Sequence, residues 1–332
     1  MTANAPDARV GTAATTALPA GGRTAAGLAF ALVSATAFGL SGSLVRGLLD
    51  TGWSAGAAAA VRMGVAAVVV AVPALLVMRG RWGRLRRAAP TVVLYGVLAV
   101  AGAQLCFFYA VTTLQVGVAL LIEYTAPVAV VLFLWLVRGE RPGRLTVVGA
   151  VVAAGGLAMV LGVLSGVRLD GIGVLWALGA MVGAATYFLV SADERVGLPP
   201  LALAGGGLTV GTVVLALGGL VGVLPMAAST ADVTLGGTTT PWWVPVLVLG
   251  VVTAALAYVA GIAAGRRLGS RLASFVALSE VLMALVFAWL LLDELPGPTQ
   301  LLGGVLVLAG VVLVKLGERG VTSAPTVEPL PA

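Results

Sequence analysis

Histidine is absent from the 332-residue sequence, which also has one cysteine and one lysine. The single cysteine, Cys106, cannot form an intrachain disulfide, and a metal site built from histidine and cysteine needs several such residues. Without histidine, a serine–histidine–aspartate set cannot form. We therefore expect no metal ion and no cofactor, and any proton transfer has to use carboxylates or tyrosines.

Charged residues are scarce as well, at 10% of the chain, whereas 60% of the residues are hydrophobic. The mean hydropathy is +1.11. Since a soluble domain carries roughly 25% charged residues, this composition predicts an integral membrane protein whose main partner is the lipid bilayer. The net charge of +6 does not indicate nucleic-acid binding, because the arginines form short clusters between apolar runs, where they set membrane topology.

Ten apolar runs are long enough to span a bilayer, which takes about 20 residues. The predicted spans are 26–49, 53–78, 90–111, 114–137, 145–165, 172–190, 201–224, 242–264, 272–292 and 298–316. Residues 1–24 and 319–332 lack such runs and are predicted to be disordered tails. The fold class expected is therefore all-α, with ten transmembrane helices.

One helix–loop–helix segment occurs twice in the sequence. Residues 132–160 and 286–314 share ten identities at an offset of 154 positions. The residues Phe133, Trp135, Leu136, Glu140, Pro142, Gly143, Gly149, Val151, Gly156 and Val160 recur as Phe287, Trp289, Leu290, Glu294, Pro296, Gly297, Gly303, Val305, Gly310 and Val314. This pattern indicates an internal duplication.

The loop arginines do not recur in the second copy. Arg138, Arg141 and Arg144 align with Leu292, Leu295 and Pro298. Because arginine retains a loop on the cytoplasmic side, the two copies are expected to have opposite orientations. Many secondary transporters consist of inverted repeats of this kind. We predict two inverted five-helix repeats, residues 25–165 and 170–318.

The remaining charges fix the orientation. Most of the arginines and the one lysine fall in alternate loops and in the tails, and the other side has only Arg168 and, near a helix end, Arg46. By the positive-inside rule, both termini are predicted to be cytoplasmic, in a multi-pass protein of the inner (cytoplasmic) membrane.

Three charged residues lie deep within predicted spans, away from the span ends: Arg62, Glu123 and Glu280. At 1.5 Å per residue each lies about 12–14 Å below a surface, near the midplane of a core about 30 Å thick. Transporters of this build bind substrate at the midplane. We therefore predict a polar binding site in which Arg62 and Glu123 are candidate partners. The alternative is a structural ion pair that locks the second span to the fourth, and Glu280 could equally serve helix packing.

Other polar and aromatic residues within the spans could line the same cavity. The further substrate-binding candidates are Gln104, Tyr109, Tyr124, Trp176, Tyr187 and Tyr258. Each of them could instead be a packing residue or an interfacial anchor. Pro127, one turn after Glu123, is a candidate hinge because proline kinks a helix, although membrane helices also tolerate proline without such a role.

These features together resemble the EamA family of the drug/metabolite transporter superfamily. The resemblance rests on the arginine in AAAAVRMGVAA, the proline in IEYTAPVAVVLFLWLV, and the paired segments around Glu140 and Glu294. It implies inner-membrane transport of small metabolites, frequently amino-acid export, through a central cavity lined by both halves. The sequence departs from the family where Val281 follows Glu280 in place of a proline, so the resemblance does not predict a kink in the ninth span.

The function expected is export of a small polar metabolite, with amino acids as the first candidate substrate, by alternating access and possible coupling to a proton. A channel would need a ring of like charges or carbonyls from a symmetric oligomer, and a lipid-linked substrate flippase would need a wide basic cavity. Both remain alternatives. An enzyme is not expected, because the intramembrane acids are too few and too scattered to form a reactive set.

Overall fold

The computed structural model describes residues 20–110, 113–114, 116–160, 170–293 and 295–321. The repeat residue Glu294, Arg168 and most of both predicted tails lie outside the described residues. Nearly all of the described chain is helical. The first helix begins at Ala20 and the last ends at Val321, so each extends a few residues into a segment predicted as a tail.

In its described residues, the first half of the chain contains seven α-helices. They are α1 Ala20–Asp50, α2 Ala55–Met78, α3 Trp82–Leu94, α4 Ala103–Ala110, α5 Val116–Glu123, α6 Ala126–Arg138 and α7 Arg144–Val160. The π-helical segment Tyr95–Gly102 joins α3 to α4 without a loop.

The second half has a similar order of elements. It contains α8 Gly171–Ala192, a 3₁₀ turn Glu194–Val196, α9 Pro200–Leu220, strands β1 Val233–Leu235 and β2 Thr238–Thr240, α10 Trp243–Gly250, α11 Ala257–Ala277, α12 Ser279–Leu292 and α13 Pro298–Val321. A second π-helical segment, Val251–Leu256, joins α10 to α11. It corresponds to Tyr95–Gly102, because each lies in the third predicted span of its half.

Among the described residues, eight helical stretches are long and apolar enough to cross a membrane, and two shorter apolar helices, Arg144–Val160 and Ser279–Leu292, accompany them. The chain is thus a multi-pass membrane protein. Its exposed surface agrees with this, because large apolar side chains such as Val68, Leu136 and Leu220 are 73%, 77% and 82% exposed. In a bilayer these side chains face lipid.

The strands β1 and β2 are an exception to the all-α expectation. They pair antiparallel, with Val233 opposite Thr240. The turn between them is Gly236-Gly237, and both glycines have positive φ (55° and 71°), as a tight two-residue hairpin turn requires. Val233 is fully buried against α1, so this segment between two predicted spans folds against the helix ends.

The fourth predicted span is broken into α5 and α6 at Tyr124–Thr125. The candidate hinge Pro127 lies in the first turn of α6, where proline is tolerated because its missing N–H has no helical partner. The ninth span is also broken, at Leu278 between α11 and α12, although no proline is present. A sharper bend precedes it at Gly269, whose φ of 79° lies in the left-handed region.

Matched helices of the two halves pack against each other in opposite directions. In the pair formed by α7 and α13, Gly149 contacts Gly310 and Val314, whereas Gly156 contacts Gly303. In the pair formed by α2 and α9, Gly205 contacts Ala74, and Gly64 contacts Thr212 at the other end. Both pairs are therefore antiparallel.

Candidate functional site

A large cavity lies between the two halves of the described chain. Its volume is about 630 Å³, within the range of roughly 300–1,000 Å³ typical of small-molecule sites. Residues of α1, α2, α4, α8, α11 and α12, together with those at the α5–α6 break, line it. All three intramembrane charges, Arg62, Glu123 and Glu280, are among the lining residues.

Arg62 is held by the backbone of the opposite half. It is buried (7% exposed), and its Nη2 donates a hydrogen bond of 2.7 Å to the carbonyl oxygen of Thr253. Thr253 belongs to the π-helical segment Val251–Leu256, and such segments leave carbonyls without their usual helical partners and often mark functional sites. The guanidinium carbon also lies 5.8 Å from the centre of the Phe38 ring, within the range of a cation–π contact.

The two carboxylates are placed by the breaks in the fourth and ninth spans. Glu123 is the last residue of α5, and Glu280 lies in the first turn of α12. The hydroxyl of Tyr124 is hydrogen-bonded to the Glu280 carboxylate. Helix α1 approaches closely here, since a Cβ atom on Gly39 would lie 2.8 Å from the backbone oxygen of Glu280.

The predicted partnership of Arg62 with Glu123 is not seen. No ion pair within 4.0 Å joins them among the described residues, and the ionisable groups that act on Arg62 are Tyr258 and Glu280. The charged group that acts on Glu123 is Glu280. The hydrogen bond shown for Arg62 goes instead to the Thr253 carbonyl oxygen of the other half.

Aromatic rings form one wall of the cavity. The rings of Phe38 and Tyr258 meet edge to face with centroids 5.3 Å apart, and Tyr187 meets Tyr258 in the same way at 5.6 Å. Tyr95 stacks behind Tyr187 at 6.0 Å. A wall of this kind can hold either the apolar part of a ligand or an ammonium group.

Seven of the nine predicted substrate-binding residues line the cavity: Arg62, Gln104, Glu123, Tyr124, Tyr187, Tyr258 and Glu280. Pro127 lines it as well. The other two, Tyr109 and Trp176, stack on each other at 4.9 Å and are not among its lining residues. Both lie within four residues of the end of a predicted span, nearer the membrane surface than Arg62, Glu123 and Glu280.

Several lining residues were not anticipated from the sequence. Phe38, Ser34 and Ser274 line the cavity, and the Ser34 hydroxyl donates to the Ala257 carbonyl oxygen at 2.8 Å. Serine and phenylalanine are common in membrane helices, so no sequence signal distinguished these. The seven that were anticipated carry a charge, an amide or a phenol, which are costly to place against lipid.

The model of the EamA-like transporter family matches residues 25–162 and 171–316. The two matched segments are the two halves between which the cavity lies, and together they span most of the chain.

Two individual proteins are similar over most of their length. A protein of Streptantibioticus cattleyicolor described as a probable terminal-alkyne amino-acid exporter is 29% identical over 271 residues, which cover 80% of this chain and 86% of that protein. A protein of known crystal structure superimposes with a TM-score of 0.71 at 20% identity, over 91% of this chain and 99% of the other. At that identity the second likeness concerns the fold alone.

Proposed function

Because this chain belongs to the EamA-like transporter family, we propose that it is a secondary transporter that exports a small polar metabolite, with amino acids as the first candidate, by alternating access. The observation that carries the proposal is the presence of Arg62, Glu123 and Glu280 on one cavity of about 630 Å³. Buried charges in membrane helices generally serve transport.

The proposal includes two inverted five-helix repeats, residues 25–165 and 170–318. The antiparallel pairs α7 with α13 and α2 with α9 support it, because helices at matched places of two repeats run in opposite directions only if one repeat is inverted. The paired π-helical segments and the paired breaks at Tyr124–Thr125 and Leu278 are further support. In such transporters the halves rock against each other around a fixed site.

We place the protein in the cytoplasmic membrane with both termini and the arginine-bearing loops inside. The support is the charge asymmetry between matched loops, Arg138, Arg141 and Arg144 against Leu292, Leu295 and Pro298. Under this rule the side that carries most of the arginines is the cytoplasmic one.

The charges of the site fit a zwitterion. The planar guanidinium of Arg62 can bind a substrate carboxylate in a bidentate way, and the carboxylates of Glu123 and Glu280 can bind a substrate ammonium. Such a substrate brings an opposite charge to each of these buried groups, which limits the cost of desolvation. The likeness to a probable amino-acid exporter points to the same class. A coupling proton, where one is used, has to reside on these carboxylates, since the chain lacks histidine.

Proteoliposomes that contain the purified protein, assayed with radiolabelled amino acids under an imposed proton gradient, test the proposal. We expect saturable flux that Glu123→Gln abolishes while the variant stays folded. The matched control is Asp232→Asn, which removes an acid from the loop after α9 and should leave flux unchanged. Wild-type flux in a well-folded Glu123→Gln variant would refute the site assignment. Non-saturable conductance would indicate a channel, and transfer of a lipid-linked sugar without amino-acid flux would indicate a flippase.

A further inference from the structure

The cavity is closed at one end and open at the other. At one end it is lined by Ala31, Ala264 and Ser274, which are only 5%, 1% and 1% exposed. At the other end its lining includes Leu49, which is 36% exposed, and Arg46, whose side chain is 67% exposed. We call these the arginine-rich end and the arginine-poor end, because the loops and helix ends around Arg138, Arg266 and Arg271 surround the closed one.

An ion pair links the two halves at the arginine-rich end. The Nη2 of Arg271 lies 3.6 Å from the carboxylate of Glu140 and also donates to the Glu140 carbonyl oxygen at 3.4 Å. The Arg271 side chain is only 6% exposed, whereas the Glu140 side chain is 51% exposed, so the pair lies at the boundary between the protein interior and solvent. Glu140 lies in the loop after α6, and Arg271 follows the bend at Gly269.

A second ion pair ties the same helix end to α8. The Nη2 of Arg138, the last residue of α6, lies 3.6 Å from the carboxylate of Asp193, which caps the end of α8. The end of α8 is in turn held to α11, because the Nε of Arg266 donates to the Ser191 carbonyl oxygen at 2.7 Å. The end of α6 is thus joined by charge to two elements of the other half.

These contacts lie directly beside the closed end of the cavity. Ser274, which lines that end, is three residues beyond Arg271 and donates to its carbonyl oxygen at 2.8 Å. One helical turn advances 5.4 Å, so any outward movement of the helix around Arg271 also moves the wall at Ser274. A movement of this helix would therefore change the ion pair and the cavity wall together.

The arginine-poor end has no equivalent in the described part of the chain. The residues matched to Arg138, Arg141 and Arg144 are Leu292, Leu295 and Pro298. The ion pair described there, Arg46–Asp50 at 3.3 Å, lies within α1 and joins nothing across the cavity. The two halves have similar helices, but in the described residues only the arginine-rich end has ion pairs that join one half to the other.

We propose that the ion pairs Arg271–Glu140 and Arg138–Asp193 form an ionic latch that holds the arginine-rich end shut and must open for a substrate to enter from that side. The latch rests on the proposed alternating access, but it concerns the access of one end and not the identity of the substrate. The loop arginines then have two roles, since they orient the chain in the membrane and also restrain one of its two openings.

Cysteine accessibility tests the latch without any substrate. The reporter is Ser274→Cys in a Cys106→Ser background, treated with an impermeant maleimide. The vesicles must present the arginine-rich end to the reagent, and labelling of Gly143→Cys establishes this orientation. We expect slow modification when the latch is intact. Adding Glu140→Gln should accelerate it by up to about fivefold, which corresponds to the loss of a coupling of about 1 kcal/mol. Exchanging the charges, with Glu140→Arg and Arg271→Glu together, should restore slow modification.

Two further variants complete the test. Asp193→Asn removes the second pair and should also accelerate modification of Ser274→Cys, whereas Asp50→Asn, which removes an exposed pair at the arginine-poor end, should leave the rate unchanged. The latch is overturned if neither Glu140→Gln nor Asp193→Asn changes the rate in a folded protein, or if the charge exchange labels as fast as Glu140→Gln alone. Because the assay needs no transport, loss of amino-acid flux and loss of the latch remain separate results.

Discussion

Gly156 and Gly303 pack backbone against backbone: a Cβ atom on Gly156 would lie 2.6 Å from the Gly303 carbonyl oxygen, and one on Gly303 would lie 2.5 Å from the Gly156 carbonyl oxygen. The related pair Gly149 and Gly310 shows the same reciprocity at 2.7 and 2.6 Å. Small residues let membrane helices approach this closely. The glycines that revealed the duplication in the sequence are thus the ones by which α7 and α13 contact each other.

Gly156→Ala should destabilise the protein, because the added methyl group has no space against α13. Overpacking of this kind costs roughly 1–3 kcal/mol, more than the gain of up to about 1 kcal/mol from replacing glycine by alanine in a helix. A methyl group on the neighbouring Gly155 would have no atom within 4 Å, so Gly155→Ala is the matched control. Thermal unfolding in detergent measures both, and equal melting temperatures for the two variants would contradict the packing.

The charge of Arg62 should couple to Glu280 and not to Glu123. Double-mutant cycles with Arg62→Gln, Glu280→Gln and Glu123→Gln, read as unfolding free energies in detergent, separate the two pairs. We expect a coupling of about 1–3 kcal/mol for Arg62 with Glu280, since either single change leaves a buried charge without compensation. A larger coupling for Arg62 with Glu123 would restore the partnership suggested by the sequence.

Gly261→Ala should impair transport. Its Cβ atom would collide with the hydroxyl of Tyr187 and come within 2.8 Å of the Ser34 Oγ, so the aromatic wall has to move. A displacement that costs about 1.4 kcal/mol in substrate binding corresponds to a tenfold loss of affinity. Gly42 also lines the cavity but has open space around it, which makes Gly42→Ala the control. The apparent substrate affinity of each variant in proteoliposomes is the measurement, and unchanged affinity in Gly261→Ala would argue against this wall.

The two copies of the duplicated loop should lie on opposite sides of the membrane. Gly143→Cys and Gly297→Cys occupy matched positions with no close neighbours at the added side chain. In a Cys106→Ser background, an impermeant thiol reagent applied to intact cells should label Gly297→Cys and not Gly143→Cys, and inverted vesicles should give the reverse. Labelling of both from one side would end the inverted-repeat proposal.

Much of the fold could be predicted because a helix that crosses a bilayer needs a long apolar run, and the loops on the cytoplasmic side are enriched in arginine. The duplicated glycines, Gly149 and Gly303, marked two helices that do occupy matched and antiparallel places. The β-hairpin at Gly236-Gly237 was missed, since hydropathy says nothing of a polar loop, although paired glycines between threonine-rich runs were a usable turn signal. The helix break at Leu278 could not be predicted, because no proline in the sequence indicates it.

The site was predictable in its residues but not in its pairings. Charges at midplane depth have to face the interior, and for that reason Arg62, Glu123 and Glu280 were found. Which of them interact depends on how the helices are rotated and where they break. Tyr109 and Trp176 are a different case, because both lie near the ends of their predicted spans and stack on each other outside the cavity lining.

The hydrogen bond from Arg62 to the Thr253 carbonyl oxygen has a consequence for how the site can vary. A backbone acceptor is present whichever amino acid occupies position 253, so the side chain there can change while the guanidinium stays in place. Only a change of helical winding, such as deletion of one residue from the π-helical segment Val251–Leu256, would withdraw the acceptor. Related transporters could therefore diversify the walls of this cavity extensively and still hold an arginine in the same orientation, provided that the length of this segment is kept.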